Sequence, residues 1–132
     1  MKQRKRIAAT FFVVIALAGC SVSQVTTPFG ADIDQMLNDI VGVPTEDGIA
    51  ASIKSGIGAI RDGSYREAGD HFAGGLRLDP TNGNLHFLNG LSYHLRSRTG
   101  DQSMLEFAEA GYALALRFDP DNYWAAYFLG HV

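Results

Sequence analysis

The chain has 132 residues, 46% apolar and 19% charged, which suits one small folded domain and is too short for a large enzyme core around a buried cofactor. Eleven basic against fourteen acidic residues leave it at −3, and beyond position 6 Lys54 is the one lysine among scattered arginines, so that part of the chain lacks the clustered cations that nucleic-acid binding needs. A single cysteine excludes an internal disulfide, and stability has to come from packing.

Lys2, Arg4, Lys5 and Arg6 open the chain as a cationic cluster, and the twelve residues from Ile7 to Ala18 follow with Thr10 as their one polar member. A charged head and a short apolar run are the marks of an export signal, whereas a permanent span needs about 20 apolar residues. Directly after it stand Leu17-Ala18-Gly19-Cys20 and then Ser21. This segment resembles the lipobox of bacterial lipoproteins. The resemblance implies that residues 1–19 are a signal peptide removed by cleavage, that the Cys20 thiol carries diacylglycerol, and that the new amine takes a further acyl chain of the palmitate kind. Several such chains, at about 0.8 kcal/mol per buried CH2, hold a protein on a bilayer. Ser21 in place of Asp resembles lipoproteins forwarded in Gram-negative cells to the outer membrane, so the expected location is the inner leaflet of that membrane, facing the periplasm. Losing residues 1–19 removes four cations and no anion, which leaves seven basic and fourteen acidic residues and a net charge of −7.

Residues 20–30 read as a lipidated tether, polar and interrupted by Pro28 and Gly30. Residues 31–48 hold a short amphipathic helix and its linker. Ile33, Met36, Leu37, Ile40 and Val41 fall on one helical face, Asp32 can cap it, and Gly42 with Pro44 stops it. The helix is expected to pack on the helical segment that begins at Ile49. Lying on a membrane surface is the competing expectation, opposed by Asp34 and Asp39 on a polar face that has no cation. Thr45 can cap a second helix that runs to about Asp62 with Ile49, Ile53, Ile57 and Ile60 along one side, broken by Gly63. Ser64-Tyr65-Arg66-Glu67 has the capping-box pattern for a third helix that ends before Asp79-Pro80. The plan then recurs: a helix Leu85 to Leu95, a polar loop Arg96 to Gln102, a second box Ser103-Met104-Leu105-Glu106, and a helix to Phe118 before Asp119-Pro120.

The two stops align residue for residue, Gly75-Leu76-Arg77-Leu78-Asp79-Pro80-Thr81-Asn82 with Ala115-Leu116-Arg117-Phe118-Asp119-Pro120-Asp121-Asn122. Ala68 and Phe72 precede the first stop at the distances at which Ala108 and Tyr112 precede the second. Upstream are Gly56 in one copy and Gly90 with Tyr93 in the other, and a third copy opens with Tyr123-Trp124 and Leu129-Gly130. These residues resemble the tetratricopeptide repeat, a 34-residue helix–turn–helix. The resemblance implies an all-α solenoid of helical hairpins over residues 49–132: one repeat at 49–82, a second at 83–122 and part of a third at 123–132. It also gives Gly56, Ala68, Phe72, Pro80, Gly90, Tyr93, Ala108, Tyr112, Ala115, Pro120 and Gly130 the role of repeat-packing residues. Glycine and alanine would admit a neighbouring helix, the aromatic ring would fill the gap, and proline would end the hairpin. Two departures, Ala59 where an aromatic is expected and Gly75 where a larger small residue is commoner, predict a softer first repeat. Pro80 and Pro120 are 40 residues apart, so six extra residues are expected, in the loop Arg96 to Gln102.

In that family the first helix of each pair lines a concave face. By position this lining is Ala50, Ile53, Ile57 and Ile60, then Asn84, Phe87, Leu91 and His94, then Trp124, Tyr127 and His131, an apolar and aromatic groove suited to a partner's helix or extended segment. Packing against the N-terminal helix is an equal expectation for Ile53 and Ile57. The Lys, Arg and Asn set with which some members grip a C-terminal carboxylate is missing. His71, His86, His94 and His131 include no i, i+4 pair, no catalytic triad order or phosphate loop stands out, and no metal, cofactor or enzymatic activity is expected. Arg96 and Arg98 read as solvated or as a docking contact. The last helix is apolar with nothing after it to cover it, which suggests a chain cut from a longer reading frame or an edge that docks a partner or a second copy. The expected function is a membrane-anchored adaptor or scaffold for envelope proteins or peptides, in pilus, secretion or cell-wall complexes. The alternative is the N-terminal recruiting module of a longer protein that carries an enzyme or a secretin-like domain.

Overall fold

The computed structural model describes residues 33–132. Among them are six α-helices and no strand. The signal peptide, Cys20, the tether and the Asp32 cap lie outside the described residues.

Helix α1 spans Ile33–Val41, and its four apolar positions Ile33, Met36, Leu37 and Ile40 are all buried. Each such side chain contributes about 1.5–3 kcal/mol when removed from water. The helix closes with Gly42 N–H on the Asn38 carbonyl, ahead of Pro44. Helix α2 spans Asp47–Arg61. Thr45 does not cap it. The backbone stays extended through Glu46, which takes the N-cap position without a side-chain hydrogen bond. At its far end Gly63 adopts φ +77°, so that Ser64 N–H reaches the Ala59 carbonyl and Gly63 N–H the Ile60 carbonyl, a Schellman closure that a residue with a Cβ would strain.

Helix α3 spans Tyr65–Leu78 and helix α4 spans Gly83–Arg98. Helix α4 is longer at both ends than the periodicity predicts. The extra residues between the copies therefore do not form a plain loop: part of them extends α4 to Arg98, and part makes a 3-10 turn at Gln102–Met104 that leads into α5, Leu105–Phe118. Neither capping box forms. Ser64 sits at the N-cap of α3 but makes no side-chain cap, and Ser103 turns its hydroxyl to the Asp101 carboxylate instead. At α5 the 3-10 turn supplies the bond that a cap would, since Leu105 N–H already reaches the Gln102 carbonyl. Helix α6 is Tyr123–Leu129.

Each helix packs on its neighbours in the chain, α2 on α3, α3 on α4, α4 on α5 and α5 on α6, with α1 laid against α2. Their inward faces share one core in which Phe72, Phe87, Tyr112 and Phe128 are the largest side chains. No helix among the described residues is long and apolar enough to cross a membrane.

Candidate functional site

The two hairpins are locked by the same device. A Cβ added at Gly56 would stand 2.3 Å from the Phe72 ring, and one added at Gly90 would stand 3.1 Å from the Tyr112 ring and from the Ala108 carbonyl. The first helix of each pair can approach the ring of the second because those glycines have no side chain. Ala68, Phe72, Ala108, Tyr112 and Ala115 are all fully buried. Pro80 and Pro120 lie just past the ends of α3 and α5. Tyr93 is half-buried, its ring tilted against that of Phe107 at 5.4 Å between centres, with the Arg96 guanidinium 5.7 Å from its ring centre. Arg96 also pairs with Asp101 at 3.7 Å, so it is engaged at the end of α4. Gly130 departs from the expected role: it is exposed, and a Cβ there would meet only carbonyls of its own helix.

Sequence reasoning overlooks two further contacts. A Cβ at Gly111 would come within 2.6 Å of the Gly90 Cα, so α4 and α5 touch backbone to backbone. Gly111 aligns with His71 in the first copy, and the repeat therefore carries no sign of it. Asn82 and Asn122, by contrast, occupy matching positions. Each is an N-cap: the Asn82 side chain accepts from Leu85 N–H at 3.1 Å, and the Asn122 side chain accepts from Ala125 N–H at 2.9 Å. Asn122 also donates to Asn84 Oδ1 at 3.1 Å, which ties α6 to the start of α4.

The groove takes a different form from the one positional analogy implies. Ile53, Ile57, Ile60, Phe87, Leu91 and His94 are buried in the core and present no open surface. Phe87 is held between Tyr112 and Phe128, both at 5.7 Å between ring centres. Of the expected lining, Asn84, Trp124 and Tyr127 remain partly exposed, and Ala50 and His131 are exposed. Exposed apolar side chains lie outside this lining: Leu78 on α3, Phe107 and Phe118 on α5, and Tyr123 on α6, which is 67% exposed and stands against the half-buried Trp124 and Tyr127.

His94 is the polar member of this core. Its Nδ1 lies 3.0 Å from the Tyr112 hydroxyl, with the Phe128 ring edge-on to it. Burial pushes its pKa below the ordinary histidine value, and the neighbouring Arg98 and His131 act in the same direction. Burial holds the Tyr112 hydroxyl protonated far above the usual range. At the end of α3 the Asp79 carboxyl is held below its usual value by the Thr81 hydroxyl and backbone N–H that bond to it. Among the described residues no three of His, Cys, Asp and Glu gather where they could hold a metal ion. A cleft between the Gly63–Tyr65 turn and the Arg96–Thr99 end of α4 is open and carries both signs of charge, unlike the enclosed apolar pockets that small molecules favour.

Set beside known proteins, the chain matches no family model, no curated protein and no solved structure.

Proposed function

We propose that this protein is a lipid-anchored adaptor of the bacterial envelope, in which a tetratricopeptide-type array of helical hairpins docks other proteins and performs no catalysis. The reading rests on the lipobox at Cys20 for the anchor and on the repeated interlock for the array. Of these the interlock carries the most weight. Glycine opposite a buried ring, at matching positions in two successive hairpins, joins a sequence repeat to a structural one. Pilus, secretion and cell-wall complexes are the settings that suit an outer-membrane lipoprotein of this kind. In this reading the docking surface is the exposed Tyr123 with the half-buried Trp124 and Tyr127 beside it on α6, and the net negative charge of the mature chain discourages anionic partners.

Two measurements test the proposal. Cys20→Ser should move the protein out of the membrane fraction and abolish labelling by a palmitate analogue; unchanged fractionation would remove the anchor from the reading. Cross-linking in cells should give discrete partner bands that disappear with the double change Tyr123→Ser and Tyr127→Ser and persist with Glu109→Gln, a change on the exposed side of α5. Equal loss or equal retention in the two variants would count against docking at α6.

A further inference from the structure

We infer that α1 is a displaceable occupant of a docking seat on α2, and that this seat takes partner helices with an apolar i, i+3, i+4, i+7 face flanked by an acid and an amide one turn apart. The inference deepens the adaptor reading and rests on it, since it names a second seat and the chemistry of what enters it.

Helix α1 is already such a ligand. Its buried face Ile33, Met36, Leu37 and Ile40 shares a core with Ile53, Ile57 and Ile60 of α2. Along the edge of this contact Arg61 donates from Nη2 to Asn38 Oδ1 at 2.9 Å, and its Nε lies 3.6 Å from Asp34 Oδ1. Asp34 and Asn38 are one helical turn apart, so Arg61 reads a pair of side chains on a single face. Because these residues begin in the first turn of α1 and Arg61 ends α2, the two helices run antiparallel.

The contact is also built to open. It is the sparsest of the helix pairings that join successive elements of the fold. The Arg61 links are solvent-exposed, and such bonds contribute little. Nine residues are too few for a helix to persist alone in water, so α1 is helical because it is docked and loses that order when it leaves. Val41 and Val43 beside the linker are exposed, and the backbone bonds of the turn Gly42–Glu46 run to the ends of α1 and α2 themselves. A longer partner helix with the same face would keep its own helicity on binding and would replace α1 at lower ordering cost.

The probe is a labelled synthetic peptide with the sequence of residues 31–43, titrated by fluorescence anisotropy against the full chain in detergent micelles. If α1 fills its seat roughly 90 to 99% of the time, emptying it should tighten peptide binding by about 10- to 100-fold. Leu37→Asp, which puts a charge on the buried face of α1, should produce this gain, and adding Arg61→Ala to it should weaken the peptide again. The milder pair Asp34→Ala and Asn38→Ala should give a smaller gain of the same sign. Equal affinity for the wild type and Leu37→Asp, or no binding to a Leu37→Asp chain that has lost no more helicity than the nine residues of α1 account for, would overturn the inference and make α1 a fixed part of the fold. Should Leu37→Asp lose more helicity than α1 accounts for, the milder pair decides, and no gain there overturns it. The titration uses only this chain's own sequence, so its failure would leave docking at α6 to be judged by cross-linking.

Discussion

Alanine at Gly56 and alanine at Gly58 separate packing from helix propensity, because the two glycines lie two residues apart inside α2. In an open helix interior alanine is favoured over glycine by about 0.5–1 kcal/mol. At Gly58 a new Cβ meets nothing within 4 Å, so the whole gain should appear. For a domain of this size it corresponds to a melting temperature about 2–8 °C higher. At Gly56 the same Cβ stands 2.3, 2.6 and 2.7 Å from three carbons of the Phe72 ring. That ring is wholly buried and has no solvent to swing into, so the helices must part. Overpacking of this kind costs about 1–3 kcal/mol, which exceeds the propensity gain. The expected net loss is about 1–2 kcal/mol, a melting temperature about 5–10 °C lower. Thermal unfolding by far-ultraviolet circular dichroism, backed by urea titration, reads both variants. In a Phe72→Leu background the penalty for Gly56→Ala should shrink by about 1 kcal/mol or more, the coupling expected of two groups in direct contact. If both alanines raise the melting temperature equally, the glycine is not there for the ring and the interlock fails as an explanation of the repeat.

Acidification should weaken the fold through His94. Its folded-state pKa is depressed, so the unfolded chain binds the proton first; its share of stability is complete above about pH 6.5 and declines as pH falls through that value. The urea midpoint should therefore drop between pH 7.5 and 5.5, and His94→Gln should flatten most of that slope; a slope untouched by the substitution would put the titration elsewhere. Asn122→Ala removes the cap of α6 and its bond to Asn84, a loss of about 1–2 kcal/mol that Trp124 fluorescence should register before bulk helicity falls. Ser64→Ala and Glu67→Gln should each cost under about 0.5 kcal/mol, because the reciprocal cap between them is not made; a loss near 1 kcal/mol in denaturant titration would restore it.

What the sequence discloses about this fold is what local chemistry decides. Asp79-Pro80 and Asp119-Pro120 end their helices because proline restricts the residue before it, wherever the helix sits. Gly63 closes α2 for an equally local reason. The pairing of Gly56 with Phe72 and of Gly90 with Tyr112 is long-range, yet legible, because the small residue and the ring recur in both copies. Caps are less secure. Ser64 and Ser103 fit a pattern, but a hydroxyl has other acceptors within reach, and Ser103 takes the Asp101 carboxylate. The residues that do cap, Asn82 and Asn122, stand in equivalent places in both copies, two positions after the prolines.

The groove marks the limit of periodicity. Spacing reports that Ile53, Ile57 and Ile60 share a face, and that Phe87, Leu91 and His94 share another. It carries no information about which element claims each face. Helix α1 brings its own four-residue stripe to α2, and the rings of α5 and α6 close on Phe87, so residues that satisfy the positional rule for a binding surface are spent on the core. The choice between groove and core is a competition between intramolecular and intermolecular burial of the same side chains. Within the chain the occupant is tethered and always at high effective concentration, so a partner prevails only by offering a longer or better-matched helix. On the inference that α1 is displaceable, the face of α2 serves as core or as binding site according to which occupant is present.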